Sequence, residues 1–201
     1  MALSRGQIVD AALAILHEYG LASLSMRQLA KALGVQPGAL YWHVKNKHDL
    51  LAAVADRLLA PVVTRWSRES GGVPSAQTRQ IVLDLRLALL SVRDGAEIVS
   101  LAQALEVRPL PATRVLRDAL GRELDERRAE WGARALTHYL LGAVAEEQNY
   151  AELTRAGLVP VGTSSPYSDE AFVFGVDAIL HGLTSPAVVR QEEPAPGPFP
   201  R

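Results

Sequence analysis

An all-α fold follows from three observations on the 201-residue chain. Alanine and leucine dominate and aromatics make up only 5%. That composition favours helices, where Ala and Leu lose little freedom, over strands, which prefer branched and aromatic residues. Apolar residues recur at three- and four-residue spacing, between capping residues at one end and Gly or Pro at the other. No window alternates apolar and polar residues long enough to claim a strand.

The first helix opens at Ser4-Arg5-Gly6-Gln7, a capping box in which the serine caps and the glutamine reaches back. Ile8, Ala11, Ala12, Ile15, Leu16 and Tyr19 form its apolar face, and Gly20 stops it. Ser25-Met26-Arg27-Gln28 repeats the capping pattern ahead of Leu29, Ala32 and Leu33, with Gly34 at the end. A short third helix fits 36–42, because Pro37 suits a first helical position that needs no N–H donor. Asn46 opens a fourth, carrying Leu50, Leu51, Val54, Leu58 and Leu59 until Pro61. After a polar stretch, further helices are predicted at 78–92, 95–105, 112–120, 124–155 and 169–183. A Gly/Pro/Ser loop at 157–168 precedes the last of these. The proline-rich end, 185–201, reads as a disordered tail.

Composition also excludes several functions. With 48% hydrophobic against 21% charged residues the chain can bury a substantial core. Without cysteine it has no disulfide, thiolate zinc site or cysteine nucleophile. No signal core and no apolar run of the ~20 residues a membrane span needs appear, so a cytoplasmic protein is predicted. Enzyme signatures are missing: there is no Gly-rich phosphate loop, GxSxG elbow or HExxH pair. His17, His43, His48, His138 and His181 are scattered, none at i, i+4 spacing to another. No catalytic activity, cofactor or metal is expected.

Charge is uneven. Met1 to Arg68 holds eight Lys/Arg against four Asp/Glu, a surplus of +4, and the remainder carries −5. Within the basic part, GVQPGALYWHVKNKHDL (34–50) gathers aromatic and basic residues beside a Gly turn. Two short helices joined at Gly34-Val35 fit a helix-turn-helix whose second helix enters a DNA major groove. Lys45 and Lys47 can neutralise phosphates, and Tyr41 and His43 can donate to backbone oxygens. Gly38 and Ala39 allow close approach to base edges. Composition and spacing fit equally well a packing motif with Tyr41 and Trp42 in the core and the lysines merely solvated.

The segment IVDAALAILHEYGLASLSMRQLAKALGVQPGALYWHVKNKHDLLAAVAD resembles the DNA-binding domain of the TetR family of bacterial transcriptional repressors. LYWHVKNK is especially similar to the tetracycline repressor class, and the likeness continues at LSVRDGAEI, LTHYLLGAVAEEQ and FVFGVDAILHGL. The resemblance implies a three-helix helix-turn-helix domain at 1–60 and a larger helical effector-binding and dimerisation domain at 61–184. Arg27 then reads bases, Tyr41, His43 and Lys47 clamp phosphates, and Trp42 packs against the turn. Pro37 stands where tetracycline repressors have a base-reading glutamine, with Gly38 and Ala39 following, and Gln36 offers a neighbouring amide. A different operator is therefore expected.

The resemblance further implies a homodimer on palindromic operator DNA, with the last two helices forming a four-helix bundle with a second copy. Leu136, Leu140, Ala143 and Val144, with Phe172, Val176, Ile179, Leu180 and Leu183, are the expected interface. The same residues suit a monomer core equally well. Val63, Ile81, Leu85, Val99, His138 and Glu146 are the expected pocket for a small hydrophobic effector without metal. Val99 occupies the place of a metal-binding histidine, and Ile81 and Leu85 replace polar and aromatic drug contacts. Taken alone, Glu146 reads more readily as part of a solvated helix face and His138 as a packed, hydrogen-bonded histidine. A dimeric DNA-binding regulator with no effector is the alternative.

Overall fold

The computed structural model describes residues 3–69, 71–105, 110–160 and 162–185, and among them every regular element is helical. The order is α1 (Arg5–Tyr19), a 3-10 turn (Leu21–Ser23), α2 (Met26–Leu33), α3 (Pro37–Leu40), α4 (Lys47–Trp66) and α5 (Pro74–Leu90). There follow α6 (Gly95–Leu105), α7 (Pro111–Leu120), α8 (Glu126–Arg155) and α9 (Asp169–Thr184). Apart from Ser185, the proline-rich tail lies outside the described residues.

Helix starts follow side-chain chemistry. Ser4 Oγ accepts from the Gln7 N–H at 3.3 Å while Gln7 Oε1 accepts from the Ser4 N–H at 2.9 Å, the full capping box. At α2 only the forward half forms: Ser25 Oγ accepts from the Gln28 N–H at 3.2 Å. Asp125 caps α8, accepting from the Arg128 N–H at 2.9 Å, so that helix starts two residues after the predicted Leu124. Helix α5 starts at Pro74 rather than Thr78, because proline supplies a first position and Val73 precedes it in extended backbone.

Ile8, Ala12, Leu16, Leu24, Leu29, Leu40, Val44 and Leu50 are no more than 1% exposed and form the core of an N-terminal head. Each fully buried Leu or Ile contributes about 1.5–3 kcal/mol. Tyr19, predicted on the apolar face of α1, is 52% exposed and lies outside that core. The C-terminal body packs α5, α6, α7 and α8 around Ile81, Leu85, Leu89, Ile98, Leu116 and Leu136. Helix α9 lies across α5 and α8 through Phe172, Val176 and Leu180.

The predicted stop at Pro61 does not occur. Helix α4 runs through the proline to Trp66, so the boundary drawn between residues 60 and 61 falls inside a continuous helix. Proline removes one N–H and crowds the preceding turn, but Pro61 faces solvent and its neighbours Leu59 and Val62 are buried. The far end is pinned: Asp84 Oδ2 accepts from Trp66 Nε1 at 2.8 Å and from Arg65 Nη1 at 3.0 Å. Tertiary packing therefore outweighs the local cost, and one rod joins head to body.

Candidate nucleic-acid interface and effector site

The turn between α2 and α3 depends on Gly34, whose φ of 65° and ψ of 29° lie in the left-handed region. Its N–H donates to the Lys31 carbonyl at 3.2 Å, and the Val35 N–H to the Ala30 carbonyl at 3.0 Å, closing α2. Gln36 follows in extended backbone and Pro37 starts α3. Gln36, Pro37 and Gly38 are exposed, Ala39 is half-buried, and a Cβ on Gly38 would meet nothing within 4 Å. The leading edge of α3 is thus short, unobstructed and low in bulk.

Leu40 and Val44 hold the following turn from inside, both fully buried. The His43 and Val44 N–H groups each donate to the Leu40 carbonyl at 2.9 Å. Outside, Tyr41 is 52% exposed and Trp42 is 89% exposed. Trp42 therefore does not pack against the turn as the resemblance implied: Leu40 and Val44 already fill the interior, leaving the indole in solvent. Lys45 and Lys47 are exposed, His43 is half-buried, and Arg27 is exposed on α2 with Lys31 one turn further on. Tyr41, Trp42, His43 and Lys47 accordingly flank the tip of α3, next to one face of α2.

A residue the sequence reading missed organises this loop. Asp49 Oδ2 accepts from the Lys45 N–H at 2.9 Å, and its Oδ1 pairs with Arg5 Nη2 at 2.7 Å. The Asp49 N–H is in turn capped by Asn46 Oδ1 at 2.9 Å. One carboxylate ties the 41–47 loop to α4 and α1. Because a hydrogen bond to a charged group contributes about 1.5–3 kcal/mol, Asp49→Ala is expected to weaken DNA binding about tenfold. Helix content should change little, and anisotropy titration with circular dichroism measures both. A substitution next to α3 that left affinity unchanged would show the loop holds itself. The signal was present, since Asp at the third helical position after an Asn cap is a capping pattern.

The six residues expected to line an effector pocket do not converge. Ile81 lines a cleft of about 220 Å³ with Trp66, Gln77, Val115, Ala119 and Arg122, between α4, α5 and α7. Leu85 and Val99 are 2% and 3% exposed and packed in the core. Val63 is half-buried on α4. His138 and Glu146 are exposed and border a separate cleft of about 380 Å³ with Tyr139, Tyr167 and Phe172. Helix α8 turns its 138–142–146 edge outward while Leu136, Leu140 and Val144 face in, which separates the two groups.

That second cleft is organised by Arg86, which the sequence reading did not single out. Its Nη1 donates to Asp169 at 2.6 Å and its Nη2 to Glu147 at 2.9 Å, with Phe172 4.8 Å beneath the guanidinium. Burial disfavours the charge, but hydrogen bonds and Coulombic attraction from Asp169 and Glu147 more than offset it, so the pKa is raised. Arg86 joins α5, α8 and the start of α9. Tyr139 Oη donates to the Phe172 carbonyl at 3.1 Å, and burial pushes its phenol pKa up against the opposing pull of Arg86.

The expected dimer residues divide likewise. Leu136, Leu140, Val144, Phe172, Val176 and Leu180 are buried within the protomer, and Ala143, Ile179 and Leu183 are half-buried. Their spacing marks the face each helix turns to its own core. The outward faces carry other residues: Trp131, Ala135, His138 and Gly142 on α8, and Ala171, Phe174, Ala178 and Gly182 on α9. Trp131 and Phe174 are 54% and 75% exposed. Each set repeats at helical spacing, so the two helices present a stripe of small and aromatic residues to solvent.

No helix among the described residues is long and apolar enough to cross a membrane. Residues 8–54 match the family model for "Bacterial regulatory proteins, tetR family". Tetracycline repressor protein class G of Vibrio anguillarum is 34% identical over 196 residues, covering 90% of this chain and 93% of that one. The structure of a TetR variant from Acinetobacter baumannii AYE in complex with minocycline superposes with a TM-score of 0.73 at 36% identity, covering 90% of this chain and 96% of that one. BioQ with its double-stranded DNA operator gives a TM-score of 0.73 at 32% identity, covering 91% and 99%. These relatives are DNA-binding regulators rather than enzymes, and the helix-turn-helix found in residues 26–40 coincides with the matched region. The chain belongs to the tetR family of bacterial regulatory proteins.

Proposed function

We propose that the protein acts in the cytoplasm as a homodimeric repressor that binds palindromic operator DNA and leaves it when a small hydrophobic effector binds. The observation that carries this reading is the continuity of α4, from Lys47 beside the DNA-facing loop to Trp66 over the cleft in the body. A displacement at one end is transmitted as a tilt of the rod. The BioQ–operator complex supports DNA as the partner, and the minocycline complex supports a small-molecule effector.

Arg27 and the Gln36-Pro37-Gly38-Ala39 edge read bases, and Tyr41, Trp42, His43 and Lys47 hold the backbone. Two heads ~34 Å apart read a palindrome, which a single short helix cannot do alone. The homodimer forms through α8 and α9, on the stripe of Trp131, Ala135, Gly142, Phe174 and Ala178.

The effector enters the cleft beneath Trp66. At about 220 Å³ it is smaller than the ~300 Å³ of most drug-sized sites, so a larger ligand must lift Trp66. Lifting it breaks the Asp84 contacts that anchor α4. Effector binding then releases DNA by favouring the tilted arrangement by a few kcal/mol. Val63, Leu85 and Val99 are reached as the cleft widens inward.

Lys47→Ala is expected to weaken binding to all DNA sequences alike, whereas Arg27→Ala also relaxes base preference, by about 1–3 kcal/mol at one position. Binding titrations of both variants against a panel of single-base operator changes test this. Identical profiles for the two would overturn the division of roles. Magnesium–tetracycline is expected not to bind in isothermal titration, because Val99 offers no metal ligand. Binding that disappears in Glu146→Ala would contradict the apolar-effector reading.

A further inference from the structure

Arg93 and Asp94, in the turn between α5 and α6, touch the head. Asp94 Oδ2 accepts from the Leu21 N–H at 2.7 Å, and Arg93 Nη1 donates to the Glu18 carbonyl at 3.1 Å. Among the described residues, the hydrogen bonds that join 3–45 directly to 71–185 all come from these two side chains. Helix α4, which runs from head to body, is a further connection.

The contact is shaped on both sides. Asp94 has φ of 57°, the one described non-glycine residue with positive φ. A non-glycine residue in that region persists where its surroundings over-determine it, and such residues gather at switch regions. Opposite it, Gly20 has φ of 77° and ψ of 178°, a conformation essentially restricted to glycine. A Cβ on Gly20 would lie 2.8 Å from Asp94 Oδ2, so the head approaches as closely as the backbone permits. On the body side the turn is equally held. Arg93 Nη2 donates to Glu152 at 2.6 Å, and Gln148 Nε2 donates to the Leu89 and Val92 carbonyls at 3.1 and 2.8 Å. Gln148 Oε1 accepts from the Ala96 N–H at 3.2 Å. Helix α8, which supplies Gln148 and Glu152, also carries half of the proposed dimer stripe.

We infer that Arg93 and Asp94 are positioning residues for DNA reading: they strap the end of α1 to α8 and so set the orientation, and the spacing, of the two heads. Helix α4 attaches the head to the body by packing against α1 on one side and against α5, α6 and α7 on the other. The strap supplies a further point of attachment. This inference rests on the homodimeric DNA-binding reading, and its test separates the two.

Asp94→Gly removes the acceptor while tolerating the left-handed backbone, and Asp94→Asn keeps both an acceptor and that tolerance. The DNA probe is a palindrome recovered by the wild-type protein from a random-sequence library, together with its isolated half-site. Asp94→Gly is expected to lose tenfold or more in affinity for the palindrome, to stay within twofold on the half-site, and to become indifferent to one inserted base pair between half-sites. Asp94→Asn is expected to behave like wild type. Equal losses on both probes would mark a merely structural residue and overturn the inference. The chain has no cysteine, so nitroxides on Lys31→Cys and Arg114→Cys, diluted with unlabelled protein, report the head-to-body distance without DNA. That distance distribution is expected to broaden in Asp94→Gly, and an unchanged distribution would overturn the inference by itself. Should the wild type recover no palindrome, the operator reading fails, and the distance measurement still decides the strap.

Discussion

Gly95→Ala is expected to destabilise the protein by about 3 kcal/mol or more, because overpacking against backbone leaves nothing able to move cheaply. A Cβ there would sit 2.2 Å from the Leu89 carbonyl oxygen and 3.0 Å from its carbon. Both atoms belong to the last turn of α5, whose carbonyl also accepts from Gln148. Two effects oppose each other at this position. Alanine gains about 1 kcal/mol in helix propensity at the start of α6, but the clash is several-fold larger and wins. For a chain of this length the loss lowers Tm by roughly 6–12 °C. Gly38→Ala is the control: nothing lies within 4 Å of its Cβ, so its Tm stays within about 2 °C of wild type. Equal melting of the two variants would show that the α5–α6 turn is looser than the geometry implies.

The second large effect concerns the proposed homodimer. Phe174 is 75% exposed on α9, at the centre of the outward stripe. Phe174→Glu places a carboxylate there, and two-fold symmetry brings two such charges into one apolar interface. Burying an unpaired charge costs several kcal/mol. Because Phe174 contributes little to the protomer core, the monomer should fold as before. Sedimentation is expected to show monomer, and palindrome affinity to fall by roughly 10²–10⁴, the avidity lost when two heads are uncoupled. Affinity for a half-site should hardly change. A Phe174→Glu protein that remained dimeric would place the interface elsewhere.

Short-range signals were legible: the Ser4 cap, the Gly34 stop, Pro37 at a helix start and the apolar period of α1 all describe forces within a few residues. The errors arise where tertiary contacts override local rules. Pro61 looks like a stop because the pattern cannot show Trp66 and Arg65 reaching Asp84, eighteen residues away and more. Leu136, Leu140 and Phe172 look like an interface because periodicity identifies an apolar face without saying whose core it enters. The outward stripe is mostly Ala and Gly, which hydrophobicity alone does not single out.

The candidate site divides along the same line. That Gln36, Tyr41, Lys45 and Lys47 lie together on an exposed edge follows from their place in one contiguous stretch. Trp42 was misplaced, since an aromatic beside a turn packs or projects according to what already fills the interior, and Leu40 and Val44 fill it. The effector residues were scattered for a similar reason: Val144 on α8 faces the core, and Glu146, two residues and roughly half a turn further on, faces solvent. Arg86 and Asp94 were missed because each joins elements remote in sequence, which no local pattern marks, whereas the capping pattern at Asp49 was legible and its reach to Arg5 was not.

The central claim is that two heads clamp DNA phosphates through the loop from Tyr41 to Lys47, and its salt dependence tests that most directly. Affinity of the wild-type protein for a selected palindrome should be measured by anisotropy across a range of salt concentrations. Lys45 and Lys47 from both copies alone release about four counterions, so log K against log salt should fall with a slope of about −3.6 or steeper. Lys47→Ala should flatten it by about 2, one phosphate per copy. A slope shallower than about −1, or one that Lys47→Ala leaves unchanged, would contradict the account.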